Sequence, residues 1–195
     1  MTLAELDPNK VYSYADYLKW RFEERVELIK GHIFKMSPAP NRMHQKIAGE
    51  IYGQLWSFLK NNKCSVYIAP FDVRLPRRSK EDKDIITVLQ PDICVICDES
   101  KLDDRGCLGA PDIVIEVLSP GNNSKELRNK YEIYEESGVR EYWVVSPQDN
   151  TFVCYTLIDG VYDMSRVMAA GDIITSSVLP GLEIDLQELF NSVNS

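Results

Sequence analysis

Apolar residues recur at helical spacing over residues 42–59, where Ile47, Ile51, Leu55 and Phe58 mark one face and Asn61-Asn62 closes the run. A long amphipathic helix is predicted there. A second helix is predicted over about 124–137, with Leu127, Tyr131 and Tyr134 as its buried stripe and Gly138 as its end. Ser13 with Asp16 three positions on is a capping-box start, giving a short helix to about Arg21, and 186–190 forms a terminal helix. Other segments have strand character. Residues 25–37 predict a hairpin turning at Lys30-Gly31, and 151–157 with 161–167 predict another turning at Asp159-Gly160. Pro38 and Pro40 mark a loop, 64–69 and 71–75 are strand-like, and 77–84 is a charged loop. Three further strands, 92–97, 113–118 and 141–145, are rich in Val and Ile.

A strand, a helix and a second strand in that order make a crossover unit. Runs such as Ile113-Val114-Ile115 lack polar alternation, so these strands are covered on both faces. The hairpins beside them make the sheet mixed. The predicted architecture is one α/β domain over 1–195, a mixed sheet flanked by helices. Residues 1–40 supply an N-terminal helix-and-hairpin appendage.

Composition narrows the function. A chain of 195 residues that is 44% hydrophobic builds a core without a staple. No apolar run approaches the roughly 20 residues of a membrane-spanning helix. The first residues carry Glu5 and Asp7 in place of the basic and apolar regions of a signal peptide. The expected compartment is the cytoplasm, with no membrane partner. The cysteines at 64, 94, 97, 107 and 154 are odd in number, and free thiols are expected. Cys94 and Cys97 sit three apart in a strand, so they face opposite ways and cannot share a zinc ion. The net charge of −8 excludes a protein that coats DNA, but not an enzyme with a local basic groove. The stretch from Arg74 through Arg77 and Arg78 to Lys80 is the candidate for such a groove, with a solvated loop as the plainer reading. There is no P-loop or dinucleotide fingerprint, and Ser119-Pro120-Gly121 lacks a nucleophile elbow.

Glu116 is the anomaly, a carboxylate inside a strand that should be buried. Such a group is costly unless paired, hydrogen-bonded or bound to metal. It shares a face with Asp112, Val114 and Leu118. Asp92 opens another strand, and if the two strands are neighbours their carboxylates make a hard-oxygen site suited to Mg²⁺ or Mn²⁺. Asp112 has a structural alternative as a strand-opening turn residue. His44 and Gln45 open the long helix and could contact a phosphate or water, although a surface histidine is the commoner case. Glu50 borders that helix's buried face, and Glu27 in the first hairpin is a similar weaker candidate.

Pro91-Asp92 with Glu116-Val117-Leu118, 24 positions on (116 − 92), resembles the PD-(D/E)XK nuclease superfamily. The segments 27–31, 36–40, 44–45, 69–75, 109–120, 130–145 and 179–182 together resemble the Uma family of restriction-endonuclease-like proteins, over nearly the whole chain. The resemblance implies that fold and a metal site. One departure stands out: the superfamily places a lysine two residues after the glutamate, and here Leu118 occupies the position. A lysine there would orient the attacking water or stabilise charge developing on phosphate. Lys130 is the candidate replacement, at the margin of its helix's buried stripe and able to reach back toward the sheet. The alternative is a surface contact with Glu126 or with charges on the Glu135 side.

The function implied is a Mg²⁺- or Mn²⁺-dependent endonuclease acting on DNA, with Asp92, Glu116 and Lys130 as catalytic residues. The rival reading is an inactive nucleic-acid-binding or protein-interaction module on the same fold, motivated by Leu118 and the acidic balance. Tyr142, Trp143, Tyr155 and Tyr162, read as exposed, suggest a homodimer interface.

Overall fold

The computed structural model describes residues 2–36, 40–120 and 124–194. Strands β1 (Val26–Ile29) and β2 (His32–Lys35) form the first hairpin. Then come β3 (Ser65–Ile68), β4 (Val73–Arg74), β5 (Val88–Leu89), β6 (Ile93–Ile96), β7 (Leu102–Asp103), β8 (Gly106–Leu108) and β9 (Ile113–Val117). After these lie β10 (Glu141–Ser146), β11 (Thr151–Ile158), β12 (Val161–Met164), β13 (Met168–Ala169), β14 (Ile173–Ile174) and β15 (Ile184–Asp185). The helices are α1 (Tyr14–Tyr17), α2 (Arg42–Leu59), α3 (Ser124–Ser137) and α4 (Leu186–Asn194).

The central sheet has the order β12-β11-β10-β9-β6-β3, with β13 joined to β11. Only β9 and β10 are parallel in it, linked through α3 as the crossover pattern requires; the hairpins on either side are antiparallel. Alternation sorts each central strand between two cores. Ile93 and Val95 of β6, and Ile113, Ile115 and Val117 of β9, join α2 and α4 on one face. Cys94, Ile96 and Val114 face the other way, toward Ile133 and Tyr134 of α3 and toward Ile29, Val73 and Leu89 of a second sheet. That sheet runs β2-β1-β5-β4-β8-β7. Its strands beyond the hairpin are two or three residues long and have no hydrophobic period, and β5, β7 and β8 were not predicted.

Both predicted hairpins turn where expected. Lys30 and Gly31 (φ 51° and 82°) and Asp159 and Gly160 (φ 52° and 84°) take left-handed pairs, which match strand twist. A side chain at Gly31 would also collide with Val11. The long helix occupies its predicted span, capped by Asn41, whose side chain accepts from the His44 amide. The first helix is shorter than predicted. The Ser13–Asp16 capping box is present, but α1 ends at Tyr17, and the Arg21 guanidinium donates to the carbonyls of Leu18 and Trp20 that a longer helix would use.

Three sequence readings are corrected. Cys64 and Cys97 are not free thiols: they form a disulfide across the end of the β3–β6 pair, with Cα atoms 3.9 Å apart. Nor is Arg74 part of a solvent-facing basic groove. It is fully buried, bonded to Asp103 at 2.6 Å and stacked over the Tyr14 ring, while Arg77 is paired with Glu136. The aromatics read as an exposed interface are core residues: Tyr142, Trp143 and Tyr162 are buried, and Tyr155 packs among them. Pro38, Gly121 and the Glu126 side chain lie outside the described residues.

Glu141 heads β10 and is 1% exposed. Its carboxylate accepts from Trp143 Nε1, Ser176 Oγ, Val178 N, and both Ser177 N and Ser177 Oγ. Such a set can hold a buried charge without a counter-ion. It ties the central sheet to the segment before α4, so its role is architectural.

Candidate active site

The pairing of β6 with β9 runs Val95↔Ile113, Cys94↔Val114, Ile93↔Ile115. Carried one residue further, the register sets Asp92 opposite Glu116; Glu116 meets α3, whereas the Asp92 carboxylate reaches His44 of α2. Directly opposed residues have Cβ atoms roughly 5 Å apart. Each carboxylate is then held by different elements. Asp92 Oδ2 accepts from the Val117 amide at 2.8 Å and lies 3.2 Å from His44 Nε2 in the first turns of α2. Its side chain keeps 22% of its surface exposed, so it opens toward solvent.

Glu116 sits deeper, 8% exposed. Its Oε1 accepts from Lys130 Nζ at 2.9 Å and from the Tyr134 hydroxyl at 2.8 Å. Lys130 and Tyr134 are one helical turn apart on α3, so both reach the same oxygen. Lys130 also lies 3.4 Å from Glu27 Oε1 on β1. That Glu27 oxygen accepts from the Gln90 amide at 2.9 Å, two residues before Asp92. Thus Lys130 does not lie on the surface. It is buried, 5% exposed, between two carboxylates from different sheets.

Two carboxylates, Glu116 and Glu27, therefore flank one ammonium, and the charge of Asp92 acts on Glu116. Burial pushes Glu116 up to about 7; the Lys130 charge opposes this, and the charges of Asp92 and Glu27 add to it. Burial also works against the Lys130 ammonium, but Glu116 and Glu27 outweigh it and hold its pKa above the ordinary lysine value. The two shifts are compatible: with acids in excess the lysine keeps its proton, and a carboxyl group gives way. Burial first, and then the Glu116 charge, keep the Tyr134 hydroxyl protonated and thus a donor.

The remaining candidates fall elsewhere. Asp112 lies at the opposite end of β9 from Glu116, about 13 Å along the strand. It accepts from the Cys97 amide and the Arg140 guanidinium, as a strand-opening residue does. Gln45 is exposed on α2. Glu50 is engaged by Gln54 one turn on. Glu27, the weaker candidate, and Tyr134, assigned to the core stripe, are in contact with the site. Tyr134 has the spacing of a core residue, and only the position of Glu116 across the crossover gives its hydroxyl a partner.

Hard oxygen donors, one of them partly exposed, suit a divalent cation such as Mg²⁺, which binds through one or two carboxylates and fills its shell with water and substrate oxygens. No cluster of three or more His, Cys, Asp or Glu side chains arranged for a metal occurs among the described residues. The fit is therefore to a two-carboxylate site, not a closed protein cage.

Comparison with known proteins bears on this arrangement. The Uma2 family, described as "Putative restriction endonuclease", matches residues 14–187. Among solved structures, the chain is similar to one titled as a putative nuclease belonging to DUF820 from Anabaena variabilis ATCC 29413. The TM-score is 0.72 at 20% identity, covering 93% of this chain and 99% of that one. At that identity the likeness is one of fold. No curated protein matches. No helix among the described residues is long and apolar enough to cross a membrane.

Proposed function

The chain belongs to the Uma2 family of putative restriction endonucleases, and on that premise we propose that it is a divalent-metal-dependent endonuclease that hydrolyses phosphodiester bonds of DNA. The proposal is supported by the β6–β9 register, which extends to Asp92 opposite Glu116, and by the Lys130 ammonium at Glu116. Asp92 and Glu116 would hold Mg²⁺ or Mn²⁺. Bound there, the ion supplies a Lewis acid to the phosphate and lowers the pKa of a coordinated water.

The chain's own residues set the conditions for that chemistry. The Val117 amide and His44 fix one oxygen of Asp92, so the carboxylate does not rotate when charge approaches. Lys130 supplies the cation that position 118 lacks, reaching Glu116 from α3 instead of from the strand. It is not a general base, because two carboxylates hold its proton. Buried at 2.9 Å from Glu116 and 3.4 Å from Glu27, the ammonium acts through the charge it sets on these carboxylates. Glu116, Glu27 and the nearby Asp92 set negative charge against the single Lys130 ammonium, which favours a divalent cation and repels phosphate in its absence, so metal and substrate bind cooperatively.

Plasmid nicking in Mg²⁺ or Mn²⁺ tests this. Wild-type protein nicks, chelator stops it, and Glu116→Ala lowers the rate by a hundredfold or more, on the order of ~3 kcal/mol of barrier. Activity that survives Glu116→Ala, or no metal-dependent cleavage by wild type, returns the chain to the reading of an inactive binding module.

A further inference from the structure

Tyr134 is fully buried, and its ring packs at 5.1 Å on Tyr142 inside a cluster of aliphatic and tyrosine side chains. Phenylalanine would meet the packing need alone. The hydroxyl instead donates to Glu116 Oε1, the same oxygen that takes Lys130, and neither donor uses Oε2. Tyr142 provides a contrast within the cluster. It is equally buried, but its hydroxyl has no hydrogen-bond partner. We infer that Tyr134 is a positioning residue for the cation site: with Lys130 it fixes the rotation of the Glu116 carboxylate and reserves the other oxygen for the ion. A single donor leaves a carboxylate free to swing about that bond, whereas two donors on one oxygen from one rigid helix define its plane. The inference rests on the metal-site reading above and adds to it a residue that touches neither ion nor substrate.

Mn²⁺ affinity is measured by calorimetry on the full chain for wild type, Tyr134→Phe, Tyr142→Phe and Glu116→Gln, with a melting curve of each metal-free protein. Tyr134→Phe keeps the ring and its packing, so the fold is retained. The expected result is an Mn²⁺ Kd raised about tenfold or more in Tyr134→Phe, the range for loss of a group that orients a metal ligand. Tyr142→Phe is unchanged and Glu116→Gln binds no measurable ion. In nicking assays, kcat of Tyr134→Phe falls while KM for DNA holds. Wild-type affinity in Tyr134→Phe, or equal weakening in the two Tyr→Phe variants, overturns the inference while leaving the metal site intact. Failure of wild-type protein to bind Mn²⁺ overturns both.

Discussion

Glu116 combines two demands that oppose each other at neutral pH. Burial favours its neutral form, and the Lys130 ammonium favours its charged one. Its folded pKa of about 7 lies above the ordinary 4.5. Between those values the folded chain therefore holds a proton that the unfolded chain has released. Stability from this source is present in full below 4.5 and falls away as pH rises to about 7. In urea titrations of metal-free protein, unfolding midpoints should drop from pH 5 to pH 7.5, and Glu116→Gln should remove that part of the slope. An identical slope in the variant would place the titration elsewhere. The sequence setting of Lys130 allows two outcomes, a reach back toward the sheet and a surface ion pair, and the structure has the first. By helical spacing Lys130 sits at the margin of an apolar stripe, and an exposed ion pair is the ordinary outcome there. Its burial follows from two acids on other elements, Glu27 and Glu116, whose approach is a property of the assembled sheets.

At the scale of elements, the β3–β6 pair is where the candidate site meets a covalent tie. The register that joins Cys64 to Cys97 at one end brings the Ala69 amide to the Asp92 carbonyl at the other, 2.9 Å away. The disulfide spans 33 positions, a closure that restricts the unfolded chain by about 3–4 kcal/mol. Reduction with a phosphine should lower the free energy of unfolding by that order in urea titration; an unchanged midpoint under full reduction would contradict a structural role. Elements with their own signals were legible in the sequence. The α2 period, the Lys30-Gly31 and Asp159-Gly160 turns, the Gly138 end of α3 and the Pro-Asp strands β6 and β9 all encode local geometry. Strands β5, β7 and β8 are too short to have a period, and they exist because neighbouring strands pair with them. The Cys64–Cys97 bridge was missed for the same reason, since only register across the sheet puts those two cysteines opposite each other. Glu141 heads a predicted strand, yet apart from Trp143 its donors come from residues 35 to 37 positions later, beyond any local pattern.

Over the whole molecule, the chain has a net charge of −8; of the basic residues along 74–80, Arg74 is internal and Arg77 is paired with Glu136, which leaves Arg78 and Lys80 exposed. A polyanionic substrate gains little from the overall field. On the proposed reading, attraction arises locally, where a divalent ion is taken up by the carboxylates of the site. Binding to phosphate is then expected to depend on that ion more than on surface lysines and arginines. The fold was legible because crossover, hairpins and doubly covered strands are each local or pairwise patterns. The site was half legible: Asp92 and Glu116 are named by their strands, whereas Glu27 and Tyr134 act from elements whose sequence reads as packing. The most direct test is anomalous scattering from crystals soaked in Mn²⁺. A peak within coordination distance of both Asp92 and Glu116 is predicted, and a peak bound elsewhere, or none at saturating metal, would contradict it.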